Sequence, residues 1–241
     1  HVRSRRQRQM CIRDRTDIEK NIGEILEKIN TSVSNSEQTG KEVLLVAVSK
    51  RKSLEHIKAA IQSGILHFGE NYAQELKEKN IQISSNNIKW HFIGPLQSNK
   101  VKLVANYASW IHTLDREKII YKLNGACKES NNVINGLIQV NVSEEPTKSG
   151  CSPSELLNLA GIVDASSNIN LKGIMALPNI NADSQNQIKE MKQMYEYSLK
   201  VQAKYPEAKE ISLGTTNDFQ NAIEHGSSIV RIGESIFGKR L

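Results

Sequence analysis

The chain has 241 residues, 38% of them apolar, and a formal charge of +6 at neutral pH, with a mean hydropathy of −0.46. That length suits one substantial core, since α/β barrels commonly occupy ~200 to 250 residues, and no run approaches the ~18 consecutive apolar residues of a membrane span. Six arginines within residues 1–15, set against Asp14 alone, hold five of the six net charges, so the remainder offers no broad basic face for nucleic acid.

Residues 1–15 lack apolar periodicity and an apolar h-region, which excludes a secretory signal. An arginine-rich, acid-poor start fits either an organelle transit peptide or an acquired extension. The segment is therefore set apart as non-native or disordered, and the folded domain is expected over 16–241. Cys11, Cys127 and Cys151 form no C-x-x-C pair and are odd in number, as expected of a reducing, cytoplasmic setting.

From Thr16 the spacing of Ile18, Ile22, Ile25, Leu26 and Ile29 predicts an amphipathic helix, and residues 32–40 read as a polar loop. Val43 to Val48 is an unbroken apolar run, read as a strand buried on both faces and ending in Ser49-Lys50. Ser53 is placed to cap a helix that Gly64 ends. Leu66-His67-Phe68 is a short strand, then Gly69-Glu70-Asn71 leads into a helix through Leu76 and Lys79. Ile88 to Ile93 is the third strand, with a helix from Ser98, and Ser109 to His112 the fourth, with a helix from Asp115 to Ala126. Val133 to Val142 and Pro153 to Val163 make the fifth pair, and Asn170 to Met175 and Asp183 to Tyr205 the sixth. Glu210 to Leu213 precedes a helix from Asp218 to His225, and Ser228 to Ile232 precedes a closing turn or short helix at Gly233-Glu234-Ser235. Eight strands in strict alternation with helical segments predict an α/β fold, a single (β/α)8 barrel with an extra N-terminal helix. A doubly wound sheet is the alternative, but it more often carries a Gly-rich turn after its first strand, where this chain has Lys50-Arg51-Lys52.

On a barrel the chemistry collects at the carboxyl ends of the strands. Lys50 sits there as a candidate nucleophile, because a partly desolvated amine can attack a carbonyl; it could equally end its strand in water beside Arg51 and Lys52. The glycine turns at Ser212-Leu213-Gly214 and Arg231-Ile232-Gly233 fit a phosphate cradle or simply tight turns. Arg231 shares a strand face with Gly233, so it meets either a structural carboxylate or a ligand. His67, His91 and His112 lie in strands without metal-ligand spacing, so they read as satisfied core or rim residues and no metal is expected. Nucleophile-elbow and P-loop patterns are both missing.

Several stretches taken together resemble the YggS/PROSC family of pyridoxal phosphate homeostasis proteins. They are Val46-Ala47-Val48-Ser49-Lys50, Phe68-Gly69-Glu70-Asn71-Tyr72, the run Trp90 to Lys100, Gly173-Ile174-Met175-Ala176, Ser212-Leu213-Gly214 and Val230-Arg231-Ile232-Gly233. The resemblance implies a barrel like the amino-terminal domain of alanine racemase that binds pyridoxal 5′-phosphate (PLP) as an internal aldimine on Lys50. It further implies Asn71 lining the cofactor, Ser212 and the backbone of Gly233 and Glu234 holding the phosphate, and Arg231 facing the pyridine nitrogen. Two positions depart from the family pattern: Glu234 stands where Thr or Ser is common, and Thr215 where Met is frequent.

The implied function is PLP homeostasis: a non-catalytic carrier that buffers and delivers the cofactor to PLP-dependent apoenzymes and so affects amino-acid and keto-acid balance. A cytoplasmic monomer without nucleic-acid or membrane partners is expected. With the eighth unit closing at the end of the sequence, the second domain that gives racemases a catalytic tyrosine is not expected. The alternative is a small PLP-dependent racemase or lyase, with Tyr72, His91 or a residue from another subunit as the second acid.

Overall fold

The computed structural model describes residues 5–36, 42–145, 148–178 and 183–238, with side chains of the first helix from residue 16 onward. Eight strands close into a barrel in sequence order, every neighbouring pair parallel. They are β1 (Leu44–Val48), β2 (His67–Glu70), β3 (Lys89–Phe92), β4 (Trp110–Leu114), β5 (Ile134–Gln139), β6 (Ile169–Met175), β7 (Glu210–Ser212) and β8 (Ile229–Ile232). The helices between them are α2 (Leu54–Gln62), α3 (Ala73–Ile83), α4 (Val101–Tyr107), α5 (Glu117–Glu129), α6 (Leu156–Asp164), α7 (Ser184–Gln202) and α8 (Phe219–Glu224), with α1 (Arg5–Asn35) before β1 and α9 (Glu234–Phe237) after β8. The barrel expected from the alternation is therefore the fold, and the doubly wound sheet is not. No helix among the described residues is long and apolar enough to cross a membrane.

The apolar residues divide into two cores because successive strand residues point to opposite faces. A large core lies between the strands and the helix ring, with Phe68, Trp90, Phe92 and Ile111 among its members. A small one, Val46, Leu137, Met175 and Ile229, occupies the barrel interior, edged by Leu44 and Trp110. Polar residues join them in that interior, His91, His112, Ser212 and Arg231 among them.

Helix α1 buries Ile18, Ile22, Ile25 and Ile29 and packs on α2, α8 and α9, across the β1/β8 closure. Asn21 Nδ2 donates to Ile236 O at 3.1 Å. Four expectations are corrected here. The helical backbone begins at Arg5 rather than Thr16, because arginine and glutamine favour helix even where no apolar stripe marks it. It also runs on to Asn35, so only Ser36 and the start at Glu42 of the loop expected at 32–40 and its exit are described, and residues 37–41 lie outside, as do residues 1–4. Leu26, counted with the inward stripe, is 39% exposed at its edge. Ser53 stands at the N-cap of α2, but its hydroxyl pairs with His56 Nδ1 at 2.7 Å instead of capping the backbone.

Candidate functional site

The strand order puts β7, β8, β1 and β2 side by side, and all six candidate residues lie on these four strands or just beyond their carboxyl ends. Val46 pairs with Arg231 and Ala47 with Ile232, which brings the Ser49-Lys50 turn beside Gly233 and Glu234. Val48 pairs with Gly69, which brings the same turn beside Asn71. A Cβ on Gly233 would lie 3.0 Å from Val48 O, so the two backbones meet closely there. Arg231 N donates to Gly214 O at 3.0 Å and joins the two glycine turns.

The turn that carries Lys50 is fixed from below. Ser49 N donates to Gly69 O at 3.0 Å, and the buried Ser49 hydroxyl donates to Glu70 Oε1 at 2.6 Å. The buried Lys79 ammonium spends its three donors on Ser49 O at 2.6 Å, Glu70 Oε1 at 2.8 Å and Glu75 Oε1 at 2.7 Å. Glu75 Oε1 also accepts from Arg51 N at 2.5 Å, which holds Arg51 at a φ of 59°, a conformation L-residues seldom adopt unaided. Lys52 Nζ caps the end of α9 through Phe237 O and Gly238 O, at 3.1 and 3.0 Å. Arg51 and Lys52 thus serve the frame, while Lys50 is half-buried at the mouth. Lys79 was not singled out by sequence; its signal was the three-residue spacing Ala73, Leu76, Lys79, which places a lysine on the inward stripe of α3.

Burial pushes the Glu70 carboxyl up to about 7, although Lys79 and Ser49 favour its charged form. Its Oε2 is buried without a hydrogen-bond partner. A carboxyl whose folded value lies above its unfolded one binds more protons in the native state, so stability falls as pH rises between the two values. The expected result is that the wild type loses about 3 kcal/mol relative to Glu70→Gln between pH 4.5 and 7. Urea midpoints of both proteins across that range measure it, and parallel curves would refute it.

Arg231 is buried, with only 4% of its surface exposed. It donates through Nη1 to Ser212 O at 2.8 Å and to Ser212 Oγ, and through Nη2 to Ala176 O at 3.0 Å. Of the two partners its position allowed, the structural carboxylate is not the one found: no ion pair to Arg231 occurs among the described residues. Asp218, whose charge acts on Arg231, instead accepts from Thr215 N at 2.7 Å and Thr215 Oγ1 at 2.9 Å. Burial lowers the guanidinium to about 10, with Asp218 opposing, so it stays charged at neutral pH. A buried cation held only by carbonyls and a hydroxyl has room in its chemistry for one more acceptor.

The remaining candidates line the same rim. Asn71 is half-buried, and its Oδ1 is shielded from solvent without a hydrogen-bond partner. Gly214 has φ +87°, and a Cβ there would meet Phe219 Cα at 2.8 Å. The Glu234 side chain is exposed to solvent, while its backbone begins α9. Thr215, the other departure from the family pattern, has its N–H tied to Asp218. The Ser212 hydroxyl points into the barrel, to Arg231 and to His112 Nδ1 at 3.0 Å. These features fit a ligand with a carbonyl near Lys50, a ring nitrogen or anion near Arg231, and a phosphate at the β8 turn. No cluster of metal-ligating side chains occurs among the described residues, and burial pushes the Cys127 and Cys151 thiols up to about 11 and 12, which removes them as nucleophiles.

The pattern of the family described as the N-terminal domain of alanine racemase matches residues 26–240. A protein of Vibrio cholerae named pyridoxal phosphate homeostasis protein is 40% identical over 227 residues, covering 92% of this chain and 96% of its own length. Among solved structures, PipY of Synechococcus elongatus with PLP bound superposes with a TM-score of 0.81 at 24% identity, over 92% of this chain and all of PipY. An alanine racemase of Clostridium difficile superposes with a TM-score of 0.72 at 12% identity, and the match covers 93% of this chain but 57% of the racemase.

Proposed function

The chain belongs to the alanine racemase N-terminal-domain family and, within it, to the pyridoxal phosphate homeostasis proteins, and from that premise we propose that it binds PLP at the β7–β8–β1–β2 mouth as a cytoplasmic carrier. The observation that carries this reading is Arg231, a buried cation without a carboxylate, beside the strand that ends at Lys50. Lys50 supplies the amine that holds the cofactor's aldehyde carbon. Arg231 faces the ring nitrogen, Asn71 lines the ring, and Ser212 with the backbone of Gly233 and Glu234 takes the phosphate.

When bound, PLP supplies a conjugated ring able to withdraw electrons from an attached amino group. Arg231 limits that ability: a guanidinium near 10 does not hand its proton to a pyridine, so the ring nitrogen stays unprotonated and draws electrons weakly. Two further features favour carriage over catalysis. Tyr72, one candidate for a second acid, is 51% exposed and turned toward Arg51. His91, a second candidate, is buried with both ring nitrogens engaged by His67 and His112. The protein holds and releases PLP as a single barrel, and its recipients are PLP-dependent apoenzymes.

The test is to load the protein with PLP to one equivalent and incubate it with each L-amino acid in deuterated water. No α-deuteration or racemisation above a slow background is expected. Turnover of about one per second or faster, the low end for enzymes, would make it a racemase or lyase instead.

A further inference from the structure

Three histidines that cofactor binding leaves without a task lie end to end inside the barrel. His67 Nδ1 is 2.9 Å from His91 Nε2, His91 Nδ1 is 2.9 Å from His112 Nε2, and His112 Nδ1 is 3.0 Å from Ser212 Oγ, which accepts from Arg231 Nη1. The far end is wet. His67 is half-buried at the amino end of β2, in a cleft of about 870 Å³ lined by Asn80, Lys89, Trp110 and Asn135 among others. His91 and His112 are fully buried, with Trp110 stacked on His91 at 5.4 Å. The chain thus spans the barrel from its amino-terminal mouth to the arginine at the other.

A neutral imidazole carries one N–H and one bare nitrogen. Burial holds His91 and His112 well below their ordinary value, aided for His91 by His112 and His67 and for His112 by Arg231, so both are neutral at pH 7. Burial and Lys89 lower His67 in the same direction. Every link needs one donor and one acceptor, which leaves two settings. In one, all three rings are Nε2–H and the Ser212 hydroxyl donates to His112. In the other, all three are Nδ1–H, Ser212 accepts from both His112 and Arg231, and its own proton is free for the mouth. A mixed setting would set two lone pairs, or two protons, against each other.

We propose that His67, His91 and His112 form a proton relay through the barrel, by which solvent at the amino-terminal mouth sets whether Ser212 offers its hydroxyl proton to a bound phosphate. The step balances. A proton from water binds His67 Nε2, the Nδ1 protons of His67, His91 and His112 each move one link along, and Ser212 passes its own proton to a phosphate oxygen. One proton enters, one leaves, and no ring remains charged. The charged groups around the path are Lys89 of β3 beside His67, Glu210 at the amino end of β7 bonded to Ser228 Oγ at 2.5 Å, Arg231 of β8 and Asp218 of the β7–α8 turn. No carboxylate hydrogen-bonds any of the three rings among the described residues, so none pins the chain in one setting.

The relay rests on the PLP reading only at its Ser212 end, and the test separates the two. Ring-15N-labelled histidine in the full chain reports each tautomer by long-range NMR. Without PLP, the three rings are expected to share one tautomer from about pH 6 to 8, and added PLP to move all three together to the Nδ1–H setting. His67→Phe cuts the wet end without touching the mouth. In that protein the His91 and His112 nitrogen shifts should move, while PLP affinity at about pH 8 stays within about twofold. Rings in opposite tautomers, a charged His91 or His112, or shifts unchanged by His67→Phe would each overturn the relay. If PLP does not bind, the cofactor reading fails, and the tautomers of the chain alone still decide the relay.

Discussion

Lys50→Ala is expected to yield a protein that folds, binds PLP on the order of 100-fold more weakly, by about 2.7 kcal/mol, and never turns yellow. Lys50 lies at the end of β1, in a turn that Ser49, Arg51, Lys52 and Lys79 hold in place. The barrel should therefore survive its loss. Borohydride reduction of the loaded wild type, followed by peptide mass analysis, should mark Lys50 and nothing else. Lys50→Arg is the informative companion, since it keeps the charge but presents no amine able to join the aldehyde. A visible band in the alanine protein, or a label on Lys100 or Lys148, would mean that the anchor is elsewhere.

Gly94→Ala is expected to cost about 3 kcal/mol or more and to weaken PLP binding with it. A Cβ at Gly94 would lie 2.1 Å from Asn71 O and 2.9 Å from Asn71 Cα. No rotamer relieves a clash with backbone, so the Asn71 turn itself must move away from the mouth. Thr113 Oγ1 also donates to Gly94 O at 2.8 Å, which blocks retreat on the other side. Gly125→Ala is the control: nothing lies within 4 Å of its Cβ, and in the interior of α5 the exchange should stabilise by up to about 1 kcal/mol. Denaturant midpoints of the two proteins settle the comparison, and an unshifted midpoint for Gly94→Ala would refute the close approach.

The barrel was legible because each strand is a compact apolar run followed by a turn signal, and the runs repeat in step with helical spacing. Its edges were less so. The fifth strand, expected to reach Val142, ends at Gln139, because the chain there leaves the ladder and Val140 bridges to Cys151 instead. The beginning of α1 could not be read, since a helix built from arginine and glutamine carries no periodic stripe. At the site, Lys50 and Arg231 stood out by chemical type at strand ends. The support beneath them did not, because a lone lysine such as Lys79 reads as a solvated charge until a buried Glu70 is found across from it. The histidines were read as satisfied by neighbours, and they are. Their neighbours are one another, on three strands whose pleats point the same way, and only closure of the barrel makes that visible.

The ladder between β1 and β8 has a temporal consequence. Leu44 meets Ile229 from the far end of the barrel's strand order, the costliest kind of contact to form and among the last. A nascent polypeptide still lacking its final strand has Lys50 but neither Arg231 nor the Gly233 turn beside it. On the proposed site, PLP capture is therefore expected only once β8 has joined β1 and sealed the ring, and appearance of the yellow colour during refolding would time that event.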